Sequence, residues 1–149
     1  MPPYSLRRLM WGGPVSTMAA ILANLLYYGV TKTLGEHYLM PLEGGNPQLI
    51  RMPVIMPVVL TMTAGLLASL FFAVLIRFFR RPGIVFLSVC FTALLLSFGG
   101  PLNLPAAAMR TKILLSGMHV LAAVIITGGI LLISHKQVNK RPKTTQNAC

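Results

Sequence analysis

The chain has 149 residues, 55% of them hydrophobic, with thirteen basic side chains against two acidic ones and a mean hydropathy of +0.74. A soluble globular domain does not contain four apolar stretches that are each long enough to cross a bilayer core of about 30 Å. The composition therefore excludes a soluble protein and predicts a polytopic membrane protein. A net charge of +11 would suggest nucleic acid in a soluble protein, but here each charge must first be assigned to one side of the membrane.

The apolar stretches predict four transmembrane helices, at about residues 13–34, 53–78, 83–100 and 111–134. The first is predicted to begin near Pro14, because proline is tolerated in the first turn of a helix. The connectors leave no room for a second domain, so residues 1–134 form one transmembrane domain, followed by a basic, disordered tail at residues 135–149. The predicted fold class is all-α, an integral membrane antiparallel four-helix bundle.

The charges fall unevenly on the two sides of these helices. One side carries nine bases, namely Arg7, Arg8, Arg77, Arg80, Arg81, Lys136, Lys140, Arg141 and Lys143. The other side carries Lys32, Arg51, Arg110 and Lys112 together with both acids, Glu36 and Glu43. By the positive-inside rule, both termini are predicted to be cytoplasmic. The nine bases are then interpreted as topology determinants that attract anionic lipids at the cytoplasmic face, and not as a nucleic-acid site.

Four polar residues are predicted to share one depth in the outer half of the bundle, namely Asn24, Thr61, Thr92 and His119. Counted at 1.5 Å per residue from the helix ends, all four lie about 10–15 Å below the outer surface. Small and polar residues recur at helical spacing around Asn24 in the first helix and around His119 in the fourth. These two stripes are predicted to face each other.

Three interpretations of this polar layer stay open. In the structural one, a neutral His119 bonds to Asn24 or to a backbone carbonyl and holds the first helix against the fourth. In the second, the layer contacts a ligand, a quinone or a lipid headgroup. Proton handling or metal binding is the third, but one histidine without other ligands cannot assemble a metal site. Arg110 and Lys112 are separate candidates for an anionic headgroup at the outer rim, although such cations commonly extend to water.

The apolar stretches contain no acidic residue, and this absence excludes two classes of function. Proton-coupled export by a small four-helix bundle requires a membrane-embedded acid, and carboxylate catalysis requires one as well. The two cysteines, Cys90 and Cys149, form no CxxC motif, which argues against disulfide exchange. The sequence therefore predicts no catalytic residue, no metal site and no cofactor.

Several short segments resemble a family of small bacterial four-helix membrane proteins known only as a domain of unknown function. The segments span Arg7 to about Ser134 and include Leu6 to Trp11, Ala23-Asn24, Arg80-Arg81-Pro82, Ser97 to Leu102, and Met118-His119. The resemblance implies a four-helix bundle in the bacterial inner membrane. It implies no activity, substrate or catalytic residue.

Two functions follow as hypotheses. The leading one is a non-enzymatic accessory or scaffolding bundle that associates with other membrane proteins or with itself. It is suggested by small residues four apart in the second helix and by nearby methionines, at Ala64, Gly65, Ala68, Ser69, Met52, Met56 and Met62. The alternative is a binder or carrier of a small lipophilic molecule, a lipid or a quinone, held in the outer half of the bundle.

Overall fold

The computed structural model describes residues 4–41, 49–104 and 107–135. Its helices are α1 (Leu6–Thr33), α2 (Ile55–Phe78), α3 (Pro82–Ser97), the four-residue α4 (Gly99–Leu102) and α5 (Met109–Ser134). Four spans are long and apolar enough to cross a membrane, with α3 and α4 together making the third. The chain is thus a multi-pass helical membrane protein, as predicted. The tail beyond residue 135 and residues 42–48 of the longest connector lie outside the described residues.

Helix α1 begins at Leu6, about two turns before the predicted start, so that Pro14 lies inside it. The extension is explained by packing, because Leu9, Gly12 and Gly13 are buried. A methyl group on Gly12 would lie 3.0 Å from the Ile133 side chain of α5, so the two helices approach closely here. Neighbouring helices make proline tolerable within a membrane helix.

The connector between α1 and α2 contains a short hairpin that the all-α prediction omitted. Strands β1 (Leu39–Pro41) and β2 (Leu49–Arg51) pair antiparallel, with Leu39 opposite Arg51. The Met52 N–H donates to the Tyr38 carbonyl at 3.0 Å and continues this pairing toward α2. The hairpin thus provides hydrogen-bond partners for backbone N–H and C=O groups in the connector between α1 and α2.

Helix α1 packs closely against both α2 and α5 through small residues. Gly65 of α2 lies against Thr17 of α1, and Gly13 of α1 lies against Ser69 of α2, so tightly that a methyl group on either glycine would overlap its neighbour. On the α5 side, Gly129 lies in the same way against Ser16. Thr17, which lies on the helical stripe around Asn24, therefore faces α2, although this stripe was predicted to face the last helix, α5.

The two ends of the helices are held by different clusters. At one end, called here the Tyr4 end, the Ser5 N–H donates to the Ser134 carbonyl at 3.0 Å and joins the start of α1 to the end of α5. The apolar core beside it contains Phe72, whose ring centroid lies 4.6 Å from that of Phe86 and 5.1 Å from that of Tyr4. At the opposite end, the Tyr38 end, Tyr28, Tyr38 and Met52 are buried together.

Candidate ligand-binding site

A cavity of about 410 Å³ lies between α2, α3 and α5 and reaches Asn24 of α1. Its volume falls in the range of about 300–1,000 Å³ that is typical of small-molecule sites. The lining is mainly apolar, and the described residues that form it include no Asp, Glu, Lys or Arg. Leu60, Ala64 and Ala93 line it and are nevertheless exposed, so the cavity opens sideways between the helices. In a membrane such an opening faces the hydrocarbon.

The cavity follows from how α3 is attached. Within α3 only Pro82 and Phe86, both near its start, are buried. From Cys90 onward, α3 presents to the cavity a face spaced by three and four residues, with Cys90, Ala93, Leu94 and Ser97. The opposite walls include four side chains that end at Cβ, namely Ala64, Ala68, Ala122 and Ala123. Short side chains on facing helices leave the space unfilled.

Asn24 is the most deeply buried polar group of this site, with 3% of its surface exposed. Its carboxamide nitrogen donates to Thr61 Oγ1 of α2 at 2.9 Å. Its carboxamide oxygen, Oδ1, has no hydrogen-bond partner among the described residues. A buried acceptor without a donor costs about 1–3 kcal/mol, so Asn24 is held in an unfavourable state unless something donates to Oδ1.

His119 lines the same cavity from α5 and is half-buried. Its Nδ1 lies 2.9 Å from the Leu115 carbonyl, one turn earlier in the same helix. Of the two partners that the structural interpretation allowed, the bond is therefore to a backbone carbonyl and not to Asn24. Because both atoms belong to α5, this bond does not hold α1 against α5.

Three of the four residues of the predicted polar layer thus meet at the cavity, and Thr92 does not. Thr92 is exposed, and its hydroxyl donates to the Ser88 carbonyl at 3.1 Å. The depth estimate was insufficient because it ignored rotation around the helix axis. The stripe from Cys90 to Ser97 in the sequence could have indicated the cavity face, which leaves Thr92 on another side of α3.

The predicted outer-rim cations both have contacts within the chain. Arg110 Nε lies 3.5 Å from Glu36 Oε2, with the arginine side chain largely exposed. Lys112 Nζ donates to the Leu102 carbonyl at 3.0 Å, which links α5 to α4. Glu36 itself is buried, and its Oε1 accepts a 2.6 Å hydrogen bond from Thr111. These contacts join the chain after α1 to the start of α5, and binding of a lipid headgroup stays a prediction.

The sequence did not indicate that a tyrosine cluster lies beside the cavity. Tyr38 is fully buried and has a positive φ of 43°. Its ring stacks on that of Tyr28 with 5.0 Å between the ring centroids, and its hydroxyl shares a 2.5 Å hydrogen bond with the Thr31 hydroxyl. Burial raises the pKa of the Tyr38 phenol above its usual value, while the bond to Thr31 acts in the opposite direction. The Tyr28 hydroxyl donates to the Met52 carbonyl at 3.0 Å, and Met52 also lines the cavity. The cluster therefore fixes the wall of the cavity at the Tyr38 end.

Comparison with known proteins adds a family and no activity. No curated protein and no solved structure matches the chain. A family model matches residues 4–132, which include all four long helices up to the last turn of α5. The chain belongs to the family of unknown function DUF6069.

Proposed function

We propose that this membrane protein binds a small lipophilic molecule in the cavity between α2, α3 and α5. The observation that carries the proposal is the buried Asn24, whose Oδ1 has no partner among the described residues although the side chain lines a cavity of ligand size. An apolar cavity with a few convergent polar groups is the usual form of a small-molecule site. The sideways opening lets a molecule enter from the hydrocarbon without crossing water.

Blocking the cavity tests this function. Ala93 lines it, so Ala93→Phe fills the space, whereas Leu96→Phe alters an exposed position of the same helix that does not line it. Native mass spectrometry of protein extracted in mild detergent should show a bound molecule of lipid size in the wild type and in Leu96→Phe. The Ala93→Phe variant should have lost it. Equal occupancy in both variants, or none in the wild type, contradicts the proposal.

We also propose the finer architecture and orientation, an antiparallel four-helix bundle in the inner membrane with both termini cytoplasmic. The basic residues support this orientation. Arg7, Arg8, Arg77, Arg80 and Arg81 all lie at the Tyr4 end of the helices, and the positive-inside rule places such an end in the cytoplasm. A membrane-impermeant thiol reagent should label Cys149, which lies outside the described residues, only after the cytoplasmic face is opened. Removing Cys90 by Cys90→Ala isolates that signal, and labelling in intact cells contradicts the orientation.

Association with other membrane proteins or with a second copy stays a prediction with less support. The small residues Gly65 and Ser69 that suggested it pack against α1 within the chain, and Ala64 and Ala68 line the cavity. Met56 and Met62 are exposed and still offer an apolar surface. A protein that sediments as a monomer in mild detergent at every concentration, with no partner, contradicts this second function.

A further inference from the structure

We infer that the molecule bound in the cavity carries an uncharged hydroxyl group, and that Asn24 and Thr61 select for it. The inference rests on the proposed function and narrows its ligand class. It follows from which polar atoms of Asn24, Thr61 and His119 are already bonded and which can still donate or accept.

The Asn24–Thr61 pair has both an acceptor and a donor to offer. The Asn24 nitrogen donates to Thr61 Oγ1, which leaves Asn24 Oδ1 as a buried acceptor. The Thr61 oxygen accepts that bond, so its own hydrogen can go to a second oxygen. A ligand hydroxyl fits both needs, because it accepts from Thr61 and donates to Asn24 Oδ1.

His119 adds a second acceptor. A carbonyl oxygen only accepts hydrogen bonds, so the 2.9 Å contact with Leu115 requires the hydrogen to be on His119 Nδ1. In the neutral imidazole the other nitrogen, Nε2, is then an acceptor. Asn24 Oδ1 and His119 Nε2 therefore both call for a donor on the ligand.

Other polar heads match this arrangement less well. A quinone carbonyl, an ester or an ether can accept from Thr61 but leaves Asn24 Oδ1 without a donor. A carboxylate would set a negative oxygen against that acceptor, and no Lys or Arg among the described lining residues compensates its charge. A buried acceptor left unpaired lowers the affinity more than an absent contact does, which is how such sites reject analogues that lack a hydroxyl.

The test compares three probes that share one chain length, namely 1-dodecanol, dodecyl methyl ether and dodecane. Their radiolabelled forms are equilibrated with the full-length protein in mild detergent, and binding to Ala93→Phe is subtracted as nonspecific partitioning. The alcohol should bind about tenfold more tightly than the ether, a ratio that corresponds to about 1.4 kcal/mol. The ether keeps the acceptor and lacks only the donor.

The outcomes separate the two proposals. If no probe binds beyond the Ala93→Phe background, the cavity is not a site and the proposed function fails. If the alcohol and the ether bind equally, the cavity is a site but the inference of a ligand hydroxyl is overturned. Equal binding is also the result expected if a water molecule donates to Asn24 Oδ1.

Asn24→Leu should reduce the preference for the alcohol to about onefold while dodecane binding persists. Thr92→Val, at the polar position outside the cavity, should leave the preference unchanged. If Asn24→Leu does not fold, the wild-type comparison of alcohol with ether decides alone.

Discussion

The span that contains α3 is more apolar than α1, yet far less of it is buried within the chain. In the most apolar stretch of α1, 44% of the residues are buried, against 6% in the span that contains α3. Lipid tails are as apolar as leucine, so hydrophobicity alone does not hold helices together in a membrane. Close approach does, and α1 achieves it through Gly12, Gly13 and Ser16. The comparison suggests a firm group of α1, α2 and α5, with α3 as a more weakly attached wall of the cavity.

The largest effect should come from the point where α3 is anchored. Phe72 is fully buried against Phe86 of α3, so Phe72→Ala leaves a cavity and lowers the free energy of unfolding by about 3–5 kcal/mol. Leu96→Ala, at an exposed position of α3, should change it by less than about 0.5 kcal/mol. Titration with SDS in mixed micelles measures both. Similar losses in the two variants would mean that α3 is packed along its whole length.

The next effect concerns the junction of α1 with α5. Thr111→Val removes the 2.6 Å hydrogen bond to the buried Glu36 carboxylate and should cost about 1.5–3 kcal/mol, because bonds to charged groups are strong. Arg110→Gln removes the exposed ion pair and an exposed 3.4 Å hydrogen bond to the Leu34 carbonyl, and it should cost less than about 1 kcal/mol. The same SDS titration checks the order, and a costlier Arg110→Gln would show that the ion pair dominates the junction.

A smaller loss is expected where α1 meets α2. A methyl group on Gly65 overlaps Thr17, so Gly65→Ala should cost about 1–3 kcal/mol by overpacking. A methyl group added at Gly128 of α5 would have nothing within 4 Å. Gly128→Ala should therefore raise the free energy of unfolding by up to about 1 kcal/mol, because alanine has the higher helix propensity. Thermal unfolding followed by circular dichroism should show opposite shifts. Equal shifts would contradict close packing at Gly65.

The smallest effect is at the Tyr38 end and depends on pH. The raised pKa of Tyr38 means that the folded protein holds this proton more tightly than the unfolded chain. Its contribution to stability is complete below about pH 10, the usual pKa of tyrosine, and is lost as pH rises through the folded pKa. Tyr38→Phe should cost about 0.5–1.5 kcal/mol at neutral pH, the value of one hydrogen bond.

Unfolding of the wild type and of Tyr38→Phe between pH 8 and about pH 11 measures the difference. The difference in free energy of unfolding between the two proteins should narrow at the alkaline end. Other groups titrate in both proteins, so their effects cancel in this difference. A gap that stays constant over this range contradicts the assignment to the Tyr38 phenol.

The spans were predictable because their length and hydropathy are properties of local sequence. Counting from the span ends also placed Asn24, Thr61 and His119 at a similar level, and all three line one cavity. Rotation around each helix is not local, which is why Thr92 was expected at a site that it does not reach. The start of α1 depends on Ile133, more than a hundred residues away. Burial of Glu36 depends in the same way on Thr111. Such partners are set by tertiary packing, which one sequence without its fold does not reveal.

The pairing of α1 with α5 has a consequence for biosynthesis. These are the first and the last of the four long helices to leave the ribosome, so the close contacts of Ser16 with Gly129 form only after α5 has been inserted. Until then α1 exposes a glycine- and serine-lined groove to lipid or to other helices. The wall that α5 contributes to the cavity, including His119, is likewise in place only after this last long helix has been inserted.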